Sequence, residues 1–374
     1  MSGPIKEKSP VAFGGAETGQ VDDKLEACDL DYSIFEGQGG ENCEGPLGIT
    51  GIKVSAPTKW QLLNMVQGFL SGSGYAVLNC QKAIGQVQIL RGEDRAYFGG
   101  LITCKSVWLC PVCNRRIAFE RAEMIRETLK AGFNMILLTA TLQHSKADGL
   151  EDLLDGLKAS LRKLKQGRWW KSFRERWGVE AYVSSYEITY GQNGWHPHSH
   201  IVIYLSKQVD IQEFWQQLSE KYSEVVSKSG HYASQYHGLD AREAEGDQVA
   251  SYLTKWRGWD IGSELVSSTD KQGRAGGQTI WELVASGRGD LLKEYADATF
   301  GLKSLTWSHG AKDVLGVSEM DQEGDPEADP VVVANVSDHV WEVIRSRSLQ
   351  GYCLELAVLD QDALQRYLSE LEAE

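Results

Sequence analysis

A chain of 374 residues is long enough for two or three domains around a sizeable core. No apolar run approaches a membrane span, and the N-terminal Met-Ser-Gly-Pro-Ile-Lys-Glu-Lys lacks the apolar core of a signal peptide, so a membrane protein is excluded and the cytoplasm is the expected compartment. The net charge of −14 would exclude a nucleic-acid partner were it evenly spread, but residues 1–50 carry three Lys/Arg against ten Asp/Glu and residues 319–374 carry three against fourteen, which leaves 32 against 28 in the middle.

Residues 1–57, rich in Gly, Asp, Glu and Ser with little periodicity, are expected to be disordered. A short helix is predicted over 58–71. A compact unit follows at 75–117, with a hairpin of strands 84–90 and 95–102 flanked by cysteines. Three of the chain's seven cysteines fall within residues 104–113, which points to metal ligation in a reducing compartment. Cys80, Cys104, Cys110 and Cys113 are spaced C-x23-C-x5-C-x2-C, and the Cys-Pro-Val-Cys step lets two thiolates reach one ion. Cys80 is inferred as the fourth ligand of a structural zinc site; the competing reading is a set of buried thiols.

A helix is predicted over 114–132, a strand over 134–142 ending near His144, and a helix over 149–166. Residues 158–176 hold eight basic side chains and one acid, interleaved with Trp169 and Trp170, a composition that suits phosphate binding and base stacking or a solvated helix face.

The most informative stretch is Trp195-His196-Pro197-His198-Ser199-His200-Ile201-Val202-Ile203-Tyr204. Strand side chains alternate, so His196, His198 and His200 point the same way, and imidazole is the commonest ligand for a divalent ion. Residues 182–190 supply a preceding strand and 191–194 the turn, giving a β-hairpin. With Gln192-Asn193 as the loop Glu187 lies opposite His198; with Asn193-Gly194 it lies opposite His200; a three-residue loop would turn it away. A helix over 211–227, a strand over 239–244 and a helix over 246–256 follow. On that last helix Gln248, Tyr252 and Lys255 share a face, so a tyrosine and a lysine could meet one phosphate. Beyond residue 257 the chain reads as helical, with Gly-rich breaks at 273–277 and 287–289, an acidic linker at 321–330 and a final exposed helix over 360–374.

These elements predict an α+β fold: a mainly antiparallel sheet flanked by helices, an N-terminal four-cysteine zinc unit and a helical C-terminal region. The expected division is an acidic segment 1–57, a helix and zinc unit 58–117, a catalytic domain 118–258, a helical region 259–318, and an acidic linker with C-terminal segment 319–374.

The chain resembles the plasmid-type rolling-circle replication initiators, the Rep proteins of the HUH endonuclease superfamily. Four blocks carry the resemblance in order: Gly100 to Cys104 with Trp108 to Cys113; Leu137-Leu138-Thr139-Ala140-Thr141; Gly194 to His200; and Tyr252 to Lys255. Weaker echoes are Glu294-Tyr295 and Trp307 to Gly310. The middle residue of the HUH triplet, usually bulky and apolar, is here Ser199. The resemblance implies that His198, His200 and Glu187 hold Mg²⁺ or Mn²⁺ while Tyr252, assisted by Lys255, attacks single-stranded or hairpin plasmid origin DNA. The products would be a 5′-phosphotyrosine and a free 3′-OH that primes synthesis, with a host helicase and polymerase as partners. His196 and His144 are lesser site candidates, and Tyr232 and Tyr236 are next in line as nucleophiles. Alternative readings are a transposase or relaxase-like nickase of the same superfamily, a non-catalytic zinc-dependent DNA-binding protein, and a zinc hydrolase attacking with water. Related initiators carry an acid one turn before the tyrosine for the terminating cleavage. Gln248 stands at that offset here, so the expectation falls on Glu245, with Asp247 second.

Overall fold

The computed structural model describes residues 57–92, 95–244, 277–317 and 330–374. In chain order it contains α1 (Lys59–Phe69), β1 (Ala83–Arg91), β2 (Ala96–Leu101), α2 (Pro111–Thr128), β3 (Asn134–Thr141), α3 (Leu150–Leu164) and α4 (Gly167–Trp177). Then come β4 (Val179–Gly191), β5 (Gly194–Leu205), α5 (Ile211–Ser227), β6 (Leu239–Ala244), α6 (Ile280–Ala285) and α7 (Gly289–Ala298). The remainder is β7 (Leu305–Trp307), α8 (Ala311–Leu315), β8 (Val331–Val336), α9 (Asp338–Ser346), α10 (Gln350–Leu359) and α11 (Gln361–Glu372).

The fold is α+β, as expected. A five-stranded sheet runs in the order β6-β3-β5-β4-β7, every neighbouring pair antiparallel. The β-branched and leucine-rich runs of β3 and β5 occupy inner positions because both of their faces are covered. On one face Ile136, Leu138, Ile201 and Ile203 pack against Leu157 and Leu161 of α3, Phe173 of α4 and Phe214 and Leu218 of α5. On the other, Leu137, Val183, Val202 and Tyr204 meet Ile125 of α2 and Ala311 and Leu315 of α8. Phe214 is fully buried with its ring 5.1 Å from Phe173 and 5.5 Å from Trp177, so truncating it to alanine would cost about 3–5 kcal/mol.

The basic stretch at 158–176 is the end of α3 plus a separate α4. Trp170, Phe173 and Trp177 recur at helical spacing and are buried against α5, so the Trp170 indole supports the core and offers no face to a base. Trp169 stacks on Phe173 at 5.0 Å with Lys221 over its ring.

A second sheet, β2-β1-β8, is built by the cysteine-flanked hairpin and a strand from near the C-terminus. Its core joins Val87 and Ile89 to Val336, Trp341, Ile344 and Leu364. Two strands therefore lie where only helix and linker were expected: β7 pairs with β4, and β8 pairs with β1. The last helix is not simply exposed, because Leu364, Leu368 and Leu371 on one stripe of α11 are buried. The expected acidic segment before residue 57, the acidic linker up to residue 329 and the helix expected over 246–256 lie outside the described residues.

Candidate metal centres

The β4–β5 hairpin takes the first of the two compatible registers. Gly191 pairs with Gly194, the loop is Gln192-Asn193, and Glu187 lies opposite His198. Gly194 has φ +84° and sits against the chain at Lys146, where an added Cβ would come within 3.0 Å of the Lys146 Cα; glycine meets both demands.

This register brings three donor atoms together. His198 Nε2 is 2.8 Å and His200 Nε2 2.7 Å from the same Glu187 oxygen, Oε2. His200 is nearly enclosed at 4% side-chain exposure and Glu187 is more open at 27%, so the cluster is anchored in the sheet and accessible from the carboxylate side. The other ring nitrogen of each histidine is also placed. His200 Nδ1 is 3.1 Å from Thr139 Oγ1 on the neighbouring strand, and His198 Nδ1 is 3.4 Å from the His196 carbonyl. With Nδ1 donating to these oxygens, the Nε2 lone pairs face the carboxylate, an arrangement suited to sharing one divalent cation. Two imidazole nitrogens and a carboxylate oxygen, all within 4.8 Å of one another, form a donor set that accepts such an ion. Ser199 projects to the opposite face, where its hydroxyl donates to the Ser185 carbonyl at 2.9 Å, and leaves the cluster undisturbed.

His196 does not join the donor set. Its Nε2 is 2.9 Å from Thr141 Oγ1, its ring stacks on His144 at 4.7 Å, and burial, with His198 and His144 nearby, pushes its pKa down to about 4. Thr139 and Thr141 were missed as supporting residues by sequence reasoning, although both lie in the Leu137 to Thr141 block. Only the β3–β5 register, with Thr139 opposite His200 and Thr141 opposite His198, reveals their role.

Glu245, Asp247, Gln248, Tyr252 and Lys255 lie outside the described residues. The described chain leaves at Ala244, paired with Met135, and returns at Gly277, where an added Cβ would stand 3.2 Å from Thr189 Oγ1. Thr189 shares the Glu187 face of β4 by the two-residue period of a strand. Tyr232 and Tyr236 are both exposed, in the loop before β6.

The four cysteines also converge. Sγ–Sγ distances are 3.5 Å for Cys80–Cys110, 3.6 Å for Cys80–Cys113 and 3.7 Å for Cys104–Cys113. Cys110 is the N-cap of α2 and accepts the Cys113 N–H at 3.4 Å. Gln81 and Lys105, each directly after a cysteine of the cluster, take left-handed backbone conformations at φ +68° and +53°. Hydrogen bonds from Cys104, Cys110 and Cys80 pull the Cys113 thiol well below the ordinary range, while the Cys110 thiol is pushed up by the same neighbours and by burial. Around it Trp108, Leu109 and Val77 continue into Trp195 and Ile188 of the hairpin, so the cysteine unit braces the end of the sheet that carries the histidines.

Residues 99–223 match a family model described as a replication protein. The chain is similar to Protein rep of Streptomyces lividans, 25% identical over 337 residues, covering 67% of this chain and 74% of that protein. It is also similar to a neomycin resistance protein of Streptomyces cyanogenus, 29% identical over 142 residues, covering 30% of this chain and 32% of that protein. No solved structure matches. The resemblance to plasmid replication initiators is upheld, and the matched span contains Cys104, Cys110, Cys113, Glu187, His198 and His200.

Proposed function

We propose that this chain, which carries a replication-protein domain and resembles the plasmid replication initiators, nicks and rejoins a single strand of origin DNA through a covalent tyrosyl intermediate. The observation that carries the reading is the convergence of His198 and His200 on one oxygen of Glu187 inside the matched domain. Mg²⁺ or Mn²⁺ held there would polarise the scissile phosphate and offset charge developing in the transition state. His198 and His200 bind through Nε2, and Thr139 holds the His200 ring in that orientation. Tyr252 is the nucleophile: its phenol oxygen bonds to phosphorus as the P–O3′ bond breaks, and the proton given up by the phenol is balanced by the one taken up at the departing oxygen, which becomes a 3′-OH. Lys255 stabilises the phenolate and phosphate charge. The reverse reaction rejoins strands without ATP, because the phosphodiester energy is kept in the tyrosyl ester.

The tether supports this assignment. Asp240 pairs with Thr139 beside the cluster, and Ala244 lies four residues, about 13 Å, further along β6. Tyr252 is eight residues beyond Ala244, a span of up to about 28 Å, enough to return to the histidines. The chain re-enters along the edge of β4, where Gln278 exchanges backbone hydrogen bonds with Tyr190, three residues from Glu187.

The cysteine cluster we assign to structural zinc. A tetrahedral site with Zn–S bonds of about 2.3 Å has edges of about 3.8 Å, close to the separations between these sulfurs. Among the described residues no helix is long and apolar enough to cross a membrane. Cytoplasmic plasmid DNA, with a host helicase and polymerase taking over at the 3′-OH, completes the reading.

The test is incubation of the purified protein and Mn²⁺ with supercoiled plasmid bearing the origin of its own replicon. The expected outcome is an open circle with protein attached to a 5′ end. Binding that leaves the plasmid supercoiled would refute the nickase reading.

A further inference from the structure

The chain leaving β3 ties the strand that supports the histidines to a second feature along its edge. Thr139 holds His200, Thr141 holds His196, and two residues further Gln143 donates its N–H to the Tyr232 carbonyl at 2.8 Å. The segment reached in this way, residues 230–238, is fixed by backbone and side-chain bonds. Thr141 N–H donates to the Gly238 carbonyl at 2.9 Å, Gly238 N–H to Ser234 at 2.7 Å, and the Ser223 hydroxyl to Ala233 at 2.9 Å, while Ala233 itself is buried in the core.

On this held loop Tyr232 and Tyr236 are 57% and 72% exposed, and neither phenol hydroxyl has a hydrogen-bond partner among the described residues. Isolated exposed tyrosines are ordinary, but here two stand exposed on one pinned loop whose anchor, Gln143, follows the strand that holds the histidines. Next to it His144 continues the row, its ring stacked on His196 at 4.7 Å and 25°. Of the nearby acids, Glu220 accepts from Gln216 and from Gln235 of this loop, and Asp148 accepts from Ser145.

We infer that Tyr232 and Tyr236 are a base-stacking platform for the single strand that enters the Glu187–His198–His200 cluster. The inference rests on the nickase reading and names how that site holds its substrate. Gln143, which anchors the loop at the Tyr232 carbonyl, is four residues from Thr139, at most about 13 Å or about four stacked nucleotides at roughly 3.4 Å each, so the platform would grip bases a few positions from the cleaved phosphate. Stacking is tolerant of base identity and requires unpaired bases, which fits a strand in an extruded hairpin loop. In this role the tyrosines act through their rings, and their hydroxyls are dispensable.

The test is fluorescence anisotropy without divalent ion, using a fluorescein-labelled single strand of about 20 nucleotides and the corresponding duplex. Tyr232→Ala and Tyr236→Ala should each weaken single-strand binding about tenfold, with duplex binding unchanged. Tyr232→Phe and Tyr236→Phe should bind as the parent protein does. Photocrosslinking of a 5-iodouracil strand should map to these two residues, a contact that a merely structural role would not give. Unchanged affinity in both alanine variants with no crosslink, or equal losses on single strand and duplex, would overturn the platform. Failure of the parent protein to bind single strands would instead refute the nickase reading.

Discussion

Thr139 Oγ1 lies 3.1 Å from His200 Nδ1, and the opposite nitrogen of that imidazole faces Glu187 Oε2 at 2.7 Å. A hydroxyl on one strand thus holds the ring that a second strand presents to a carboxylate on a third. Thr139→Val keeps shape and volume while removing this bond. It should lower apparent Mn²⁺ affinity about 10–100-fold, the usual cost of losing a partner behind a ligating histidine. Calorimetric titration with Mn²⁺ checks it, and unchanged affinity would show that packing alone orients His200.

His198→Ala and His200→Ala should each abolish metal-dependent cleavage, whereas Glu187→Ala should raise the Mn²⁺ concentration needed for half-maximal nicking. His196→Ala should have a smaller effect, because its Nε2 is bonded to Thr141 and not directed at Glu187. Nicking measured across a Mn²⁺ series separates these variants. Normal cleavage by Glu187→Ala at limiting Mn²⁺ would remove the carboxylate from the ligand set.

Elemental analysis should find one zinc per chain, and a strong chelator should lower the melting temperature in a way that added Mg²⁺ does not reverse, since thiolates select zinc over hard ions. Because the cysteine unit packs on Trp195 and Ile188, zinc loss should also reduce nicking at saturating Mn²⁺. Protein purified without zinc and fully active would end this assignment.

The paired strands and most helices were legible because their apolar residues recur at two or at three to four positions. β7 escaped because three residues, Leu305–Trp307, are too few to establish a period, and only β4 defines them as a strand. β8 was hidden by its acidic approach, although Val331–Val336 is an apolar run that reaches back to β1 from far along the chain. The charge of residues 158–176 concealed the Trp170, Phe173 and Trp177 stripe of α4. At the site, the alternating histidines announced their shared face, while Glu187's register waited on a turn whose length two sequence readings shared. Thr139 could be assigned only once β3 was known to lie beside β5 with Thr139 opposite His200.

Termination needs a group that can accept a proton, and Gln248 cannot serve as one. Glu245→Gln should leave the first nick unchanged and slow release of the protein from DNA. A time course of covalent complex after one round checks this. A time course unchanged from the parent in the Glu245→Gln, Asp247→Asn double variant would mean that a second tyrosine performs the step, or that the protein stays covalently bound after one round.

In the proposed reaction Tyr252 becomes covalently joined to DNA. Mass spectrometry of the protein after incubation with Mn²⁺ and single-stranded origin DNA should find a nucleotide adduct on Tyr252. Tyr252→Phe should yield no adduct while binding the strand nearly as well, since only the attacking oxygen is lost. Cleavage without any tyrosyl adduct, or undiminished adduct in Tyr252→Phe, would contradict the account.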